Sequence, residues 1–251
     1  MGIAVALAAS SSASGQQRAR VAADAAMQSV IPELVAAFEE TQGGGVGVDL
    51  AAAGYMTERL VGGAPYDLAL VAGDRVPDTL VAQEVSGNRG TVVARTRLAL
   101  YVRRGSPITA GQGLEGLADA LEGNRLGRVA MPRPAVSPHG RAARSALRQA
   151  GLWQPLVSRL AFAPSASAAL RRASGGPAQA ALVPLPLTQA GDLARHGSVN
   201  EVDPATYEPV TLRAVVLVED DAHPAAAFAE FLQGDTAQEI LSDYAFETPP
   251  F

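Results

Sequence analysis

The feature that most constrains this chain is a repeated alternation of short apolar runs with amphipathic segments. Residues 66–72 (YDLALVA) form a nearly continuous apolar run, which is typical of a parallel strand covered by helices on both faces. Apolar residues at helical spacing in 28–40 lie between two shorter strand-like runs at 20–23 and 46–51, and a second helix is predicted over 55–61. Short links between these segments predict a doubly wound parallel α/β sheet.

The same alternation continues, with different sequence, through the rest of the chain. Further strands are predicted at 98–102, 128–131, 179–185 and 212–218, and further helices at 139–151, 166–173, 224–232 and 235–244. We therefore predict two doubly wound α/β lobes joined by a two-strand hinge, one of residues 18–93 plus 208–251 and one of residues 94–207. In such folds a ligand lies beyond the carboxyl ends of the strands, where helix N-termini point inward.

Residues 1–17 differ in character from the rest of the chain. Residues 2–9 (GIAVALAA) are apolar and residues 10–15 (SSSASG) are small and mostly polar, which resembles the second half of a secretory signal peptide without its basic start. The alternatives are a disordered N-terminus, or a buried first strand followed by a linker. The apolar stretch is far shorter than the about 20 residues that span a membrane. We therefore expect an exported, periplasmic protein without a membrane span.

Composition excludes several classes of function. The 251 residues carry a net charge of −5 and no basic stripe, so binding to nucleic acid through phosphate neutralisation is not expected. The chain has no cysteine, and all 20 of its lysine-or-arginine positions are arginine, which removes thiolate and lysine chemistry. His139, His196 and His223 lack metal-ligand spacing, and no nucleophile motif occurs. We therefore expect neither an enzyme nor a bound metal or cofactor.

Five segments, in order along the chain, carry a resemblance to a known family. They are 23–38 (ADAAMQSVIPELVAAF), 63–68 (GAPYDL), 137–153 (SPHGRAARSALRQAGLW), 224–234 (PAAAFAEFLQG) and 237–246 (AQEILSDYAF). In these segments the chain resembles the periplasmic molybdate-binding proteins of ABC importers, which have the type II solute-binding fold of two lobes around a cleft. The resemblance implies a receptor that captures a small oxyanion and delivers it to an importer permease.

The resemblance also implies where the ligand lies. That family holds a tetrahedral oxyanion with backbone N–H groups at helix starts and a few hydroxyl groups, which agrees with the partial positive charge of helix N-termini. The matching backbone positions are Ala26, Ala53, His139 and Ala166. The hydroxyl-bearing positions of the family fall on Ala26, Ala53 and Pro184 in this chain, so we expect an atypical ligand site without the usual hydroxyl donors.

The missing hydroxyl groups leave two functions open. A hydrogen bond from a neutral donor to an ion contributes about 1.5–3 kcal/mol, so losing three of them would weaken molybdate binding by several powers of ten. Either the cleft binds a different small solute, or the fold has lost oxyanion binding and serves as a non-transport interaction or assembly protein with a protein partner.

Four residues near the predicted site admit more than one interpretation. Asp24 either favours a cationic or amine-bearing ligand or caps a helix. His139 either lines the pocket, where it donates to an anion or titrates near its usual pKa of about 6.5, or is a partly exposed residue at a helix start. Tyr55 either replaces a lost hydroxyl group or packs at the core or rim. Arg141, the cation nearest to His139 in sequence, is expected on the solvated surface.

Overall fold

A computed structural model describes residues 18–109, 111–189, 191 and 193–250, so the predicted signal segment 1–17 lies outside the described residues. The described strands form two sheets. The first sheet contains β1 (Arg18–Asp24), β2 (Gly45–Ala51), β3 (Leu68–Ala72), β4 (Thr91–Thr96), β10 (Val210–Val216) and β11 (Phe246–Glu247). The second contains β5 (Leu98–Arg103), β6 (Arg128–Pro132), β7 (Leu160–Ala163), β8 (Ala178–Pro184) and β9 (Gly197–Glu201).

Helices cover both sheets and connect most of the strands. They are α1 (Ile31–Gln42), α2 (Ala53–Val61), α3 (Arg75–Ala82), α4 (Gly113–Glu122), α5 (Pro138–Gln149), α6 (Trp153–Leu156), α7 (Ala166–Ser174), α8 (Leu193–His196), α9 (Pro224–Phe231) and α10 (Asp235–Asp243). A one-turn 3-10 helix, Ala25–Met27, follows β1 directly. No helix among the described residues has the length and apolar character needed to cross a membrane.

The two sheets are mixed rather than wholly parallel. The first has the order β11-β4-β10-β3-β1-β2 and the second the order β7-β6-β8-β5-β9. Parallel pairs join β1 with β2 and β3, and β6 with β7 and β8; of these strands, β7 was not predicted from the sequence. The strands β5 and β10 were predicted, but they run antiparallel to their neighbours. Antiparallel pairs arise where β10 lies between β3 and β4, and where β5 lies between β8 and β9. The chain passes from the first sheet to the second between β4 and β5, and it returns between β9 and β10.

Each sheet is the centre of one lobe, and the chain passes between the lobes twice. It crosses at Arg97, between β4 and β5, and returns between β9 and β10. The first crossing lies a few residues after the predicted boundary at 93/94, which divides β4 between the lobes, and the division into residues 18–93 plus 208–251 and residues 94–207 stays a prediction. The two crossings are bonded to each other, because the Leu98 amide donates to the Tyr207 hydroxyl at 2.7 Å and Arg97 pairs with Glu201 at 2.8 Å.

The first lobe buries apolar side chains on both faces of its sheet, as its parallel strands predict. Helices α1 and α9 cover one face, where the rings of Phe38 and Phe228 meet edge to face with centroids 5.0 Å apart. Helices α2 and α3 cover the other face with Met56 and Leu80. Ring pairs in this geometry add about 0.5–1.5 kcal/mol beyond the area that they bury, so the lobe is well packed behind the cleft.

Sequence periodicity located most of the described helices and strands and missed eight. The missed elements are α3, α4, α6, α8, β4, β7, β9 and β11. The first helix begins at Ile31 rather than at residue 28, because Pro32 lies in its first turn and the preceding residues form separate turns. The two-lobed α/β class predicted from the alternating pattern is confirmed.

Candidate ligand site between the lobes

Four helix starts converge between the two lobes. From the first lobe come the 3-10 helix that follows β1 and the N-terminus of α2, and from the second lobe come the N-termini of α5 and α7. They enclose a small cavity lined by Asp24, Ala25, Ala52, Ala53, Val136, Ser137, His139, Pro164, Ser165 and Ala166. Helix N-termini expose amide donors and a partial positive charge, so the geometry of this cleft favours the binding of an anion.

The start of α2 leaves its amides without a side-chain cap. Its N-cap residue is Ala52, which has no side-chain acceptor, and the first intrahelical bond runs from the Met56 amide to the Ala52 carbonyl at 2.9 Å. The amides of Ala53, Gly54 and Tyr55 therefore precede the hydrogen-bonded part of the helix. An anion in the cleft is the kind of partner that such amides bind.

The two helices of the second lobe begin with serine caps. The Ser137 hydroxyl accepts a hydrogen bond from the Gly140 amide at 3.3 Å, and the Ser165 hydroxyl accepts one from the Ala168 amide at 3.1 Å. Each hydroxyl keeps its own proton to donate. Sequence reasoning did not assign these two serines to the site, although serine directly before an apolar helical segment is a start signal that could have located them.

Asp24 caps the 3-10 helix from inside the cleft, as the capping interpretation predicted. Its Oδ1 accepts a hydrogen bond from the Ala26 amide at 2.9 Å, and the residue is only 5% exposed. Burial raises the pKa of this carboxyl from 3.8 to about 6, and the bond from Ala26 opposes the rise. The cleft therefore contains an acid whose ionisation changes just below neutral pH.

His139 is buried rather than partly exposed at the start of α5. It is 3% exposed, and its Nε2 lies 3.0 Å from the hydroxyl oxygen of Thr96. Burial, with a smaller contribution from Arg141, lowers the pKa of His139 to about 3. The expectation that this ring titrates near pH 6.5 is therefore wrong, and it lines the cleft as a neutral imidazole at physiological pH.

The structure brings some of the predicted site residues together and separates others. Ala53, His139 and Ala166 line the cavity with Asp24, and Ala26 lies directly behind it, bonded to Asp24.

Pro184 and Tyr55 lie elsewhere. Pro184 is buried at the end of β8, where it pairs with Leu98 of the neighbouring strand. Tyr55 is 58% exposed, with the Arg59 guanidinium 5.8 Å from its ring centroid. Neither side chain belongs to the wall of the cavity, so their predicted roles in ligand binding stay predictions without support from the geometry.

The lobes touch across the cleft, so the structure represents a closed arrangement. The Ser167 hydroxyl donates to the Ala25 carbonyl at 3.3 Å, and Arg75 donates to the Ala135 carbonyl at 3.2 Å. The enclosed cavity measures about 10 Å³, which is about the space of one water molecule. A larger ligand requires the lobes to separate before it can enter.

Two larger pockets lie on either side of the closed cleft. One, of about 420 Å³, lies beside the returning hinge segment, and the other, of about 270 Å³, lies beside α2. Both are lined by Arg75, Pro138 and Arg141. Arg141 is half-buried rather than fully solvated, and its pKa is lowered by burial and by the neighbouring Arg75 and Arg144.

No group of three or more histidine, aspartate or glutamate side chains with metal-binding geometry occurs among the described residues. His223 caps α9 instead, where its Nδ1 accepts a hydrogen bond from the Ala225 amide at 3.1 Å.

Two α/β lobes with helix N-termini from both sides around an inter-lobe cleft define a solute-binding protein of the type II fold. The sequence model of the family described as bacterial extracellular solute-binding protein matches residues 19–247. The chain belongs to this family.

Individual relatives agree with that assignment. The chain is 27% identical over 229 residues to the molybdate-binding protein ModA of Azotobacter vinelandii, covering 90% of this chain and 88% of that one. Among solved structures, the periplasmic molybdate-binding protein of A. vinelandii matches with a TM-score of 0.82 and 22% identity, over 92% of this chain and 99% of that one. The sulfate-binding protein SubI of Mycobacterium tuberculosis matches with a TM-score of 0.76 and 15% identity, over 93% and 88%. The ModA-like resemblance stated from the sequence is confirmed.

Proposed function

We propose that this protein is an exported, periplasmic receptor that captures a small oxyanion between its lobes and delivers it to the permease of an ABC importer. It performs no catalysis in this role. The observation that carries the proposal is the convergence of four helix starts, two from each lobe, on one cleft. Backbone amides that point into a cleft can hold an anion without a cationic side chain. A chain with a negative net charge can therefore serve as an anion receptor.

The donors available to the ligand come from both lobes. The uncapped amides at the start of α2 lie on one side, and the hydroxyl groups of Ser137 and Ser165 with the first amides of their helices lie on the other. A ligand that bonds to both sides stabilises the closed form more than the open form. Binding therefore shifts the population toward closure, and the importer recognises the closed receptor.

Entry requires the hinge to open. The closed cavity of about 10 Å³ is far too small for a tetrahedral oxyanion, whereas the hydrogen bond from Ser167 to Ala25 across the cleft wall is long at 3.3 Å and therefore weak. The crossings at Arg97 and between β9 and β10 are the positions about which the lobes rotate. The lobes then close on the bound ion, less tightly than in the arrangement seen here, because the ion needs more space than the present cavity provides.

Thermal unfolding in the presence of anions tests the proposal. Molybdate, tungstate, sulfate and phosphate are added singly to the purified protein, and a ligand at 100 times its Kd is expected to stabilise the fold by about 2.7 kcal/mol. The variant Ala53→Leu fills the cavity and should lose the shift. Ala82→Leu, the same change at an exposed position on α3, should keep it.

The opposite result would favour the interaction protein considered from the sequence. If no anion shifts the unfolding temperature and the protein co-purifies stably with a protein partner, the receptor proposal fails. A shift that survives in Ala53→Leu would place the anion outside this cleft and would also overturn the proposed site.

A further inference from the structure

The carboxylate of Asp24 occupies a donor that an anion in this cleft would use. Asp24 ends β1 in the wall of the cavity, and its Oδ1 accepts the Ala26 amide at 2.9 Å. That amide belongs to one of the four helix starts facing the cleft. The chain therefore supplies its own anion at a position where a receptor for a fully ionised oxyanion needs a free N–H group.

Helix capping alone does not account for a buried carboxylate here. Asparagine and serine cap helices as well as aspartate does, and neither carries the cost of burying a charge. Asp203 makes the same cap to the Ala205 amide, also at 2.9 Å, but on the exposed surface. Among the described residues, Ala26 is the one hydrogen-bond donor to Asp24, and no ion pair includes it. The second carboxylate oxygen is thus left for a partner in the cleft.

A carboxylate and an oxyanion can touch only if a proton lies between them. An ionised carboxylate accepts hydrogen bonds and donates none, and two adjacent negative charges in a site with little water repel strongly. A hydrogen phosphate ion carries an O–H group that can donate to the carboxylate. Molybdate, tungstate and sulfate carry no proton at neutral pH, so they lack that donor.

We propose that Asp24 is the specificity-determining residue of the cleft and selects an oxyanion that shares a proton with its carboxylate. This inference rests on the proposed receptor function and names the class of ligand. At neutral pH the ligand supplies the proton, which favours hydrogen phosphate and hydrogen arsenate. A fully ionised oxyanion binds only when Asp24 itself takes up a proton from solvent.

Among the described residues of the cleft wall, no other group supplies that proton. The segments that contribute from α2, from residues 136–137 and from residues 164–166 contain no titratable side chain. His139 on α5 is the one other titratable residue of the wall, and its lowered pKa of about 3 keeps it neutral. Arg141, on the first turn of the same helix, lowers the pKa of His139 and does not pair with Asp24. The pKa of Asp24, raised to about 6, therefore sets the pH at which the cleft changes its preference.

Titration calorimetry with phosphate and molybdate at pH 5 and pH 8 tests the inference. In the unmodified protein we expect phosphate to bind at both pH values, and molybdate affinity to fall about tenfold for each pH unit above pH 6, since one proton is bound with each ion. In Asp24→Asn we expect molybdate to bind at pH 8 and its affinity to lose this pH dependence. Asp203→Asn, the matched exposed cap, should behave as the unmodified protein does.

The outcomes separate this inference from the proposed function. If molybdate binds the unmodified protein equally well at pH 5 and pH 8, and Asp24→Asn changes nothing, the role of Asp24 is wrong while the receptor function stands. If neither anion binds the unmodified protein or Asp24→Asn, and circular dichroism shows both to be folded, the receptor function fails and this inference fails with it.

Discussion

The hydroxyl oxygen of Thr96 lies 3.0 Å from Nε2 of His139, and both side chains are almost fully buried. Thr96 ends β4, the last strand of the first lobe before the chain crosses to the second. His139 lies in the first turn of α5, where it forms part of the cleft wall. This contact therefore connects the hinge with the ligand site, and it predicts how each responds to substitution.

Removing the Thr96 hydroxyl should destabilise the protein by about 1–3 kcal/mol, because a buried ring nitrogen then loses its partner. Thr96→Val keeps the shape of the side chain and removes the hydroxyl, whereas Thr96→Ser keeps the hydroxyl and removes a methyl group. Urea unfolding should show a larger loss for the valine variant. Equal losses in the two variants would mean that the contact contributes little.

The neutral state of His139 predicts a loss of stability in acid. Its pKa is about 3 in the folded protein, against 6.5 for an unburied histidine, so the unfolded chain binds more protons between these values. The free energy of unfolding should therefore fall as the pH drops from 6.5 toward 3. His139→Gln should flatten this part of the pH profile, measured in an Asp24→Asn background so that Asp24 does not contribute. His196→Gln, at an exposed position, should leave the slope unchanged.

Gly73 is predicted to control how closely the lobes approach. It follows β3 with φ +72°, and a Cβ at this position would lie 2.8 Å from Cβ of Pro138 in the second lobe. Gly73→Ala should therefore cost about 1–2 kcal/mol for the left-handed backbone and should also push the lobes apart.

Gly63→Ala is the matched control for this effect. Gly63 has φ +77°, and a Cβ added to it would have no neighbouring atom within 4 Å among the described residues, so this variant carries the backbone cost without the contact. Small-angle scattering should show a larger radius of gyration for Gly73→Ala only. An unchanged radius in both variants would show that the Pro138 contact does not hold the closed arrangement.

Local sequence patterns predicted the parallel strands and the helices that follow them, because both depend on periodicity within about a dozen residues. The segment 66–72 is one example, since its apolar run gives β3 directly. The direction and pairing of the strands next to the hinge could not be predicted in this way. β10 pairs with β3 and β4, which lie well over 100 residues earlier in the chain, and no local pattern predicts that such a strand runs antiparallel.

The candidate site was predictable where it depends on the ends of strands and was missed where it depends on the fit of the lobes. Asp24 ends β1 and Ala53 lies just after β2, so their place at the cleft follows from the doubly wound topology. Ser137 and Ser165 reach the same cavity from the other lobe. The distance of the two serines from Asp24 depends on how the two lobes close on each other. The sequence pattern within either lobe carries no information about that closure.

The buried carboxyl of Asp24 should lower the free energy of unfolding as the pH rises. Its pKa is 3.8 when solvated and about 6 in the fold, so the folded state binds the proton more tightly than the unfolded state does. The stability that this group contributes is present below pH 3.8 and is lost as the pH rises through about 6, a change of about 3 kcal/mol. Asp24→Asn keeps the cap and removes the ionisation, so it should gain stability relative to the unmodified protein between about pH 4 and pH 7. Asp203→Asn should show no such gain in chemical denaturation across the same range. A constant difference between Asp24→Asn and the unmodified protein would contradict the raised pKa and, with it, the physical basis for proton-dependent selection in the cleft.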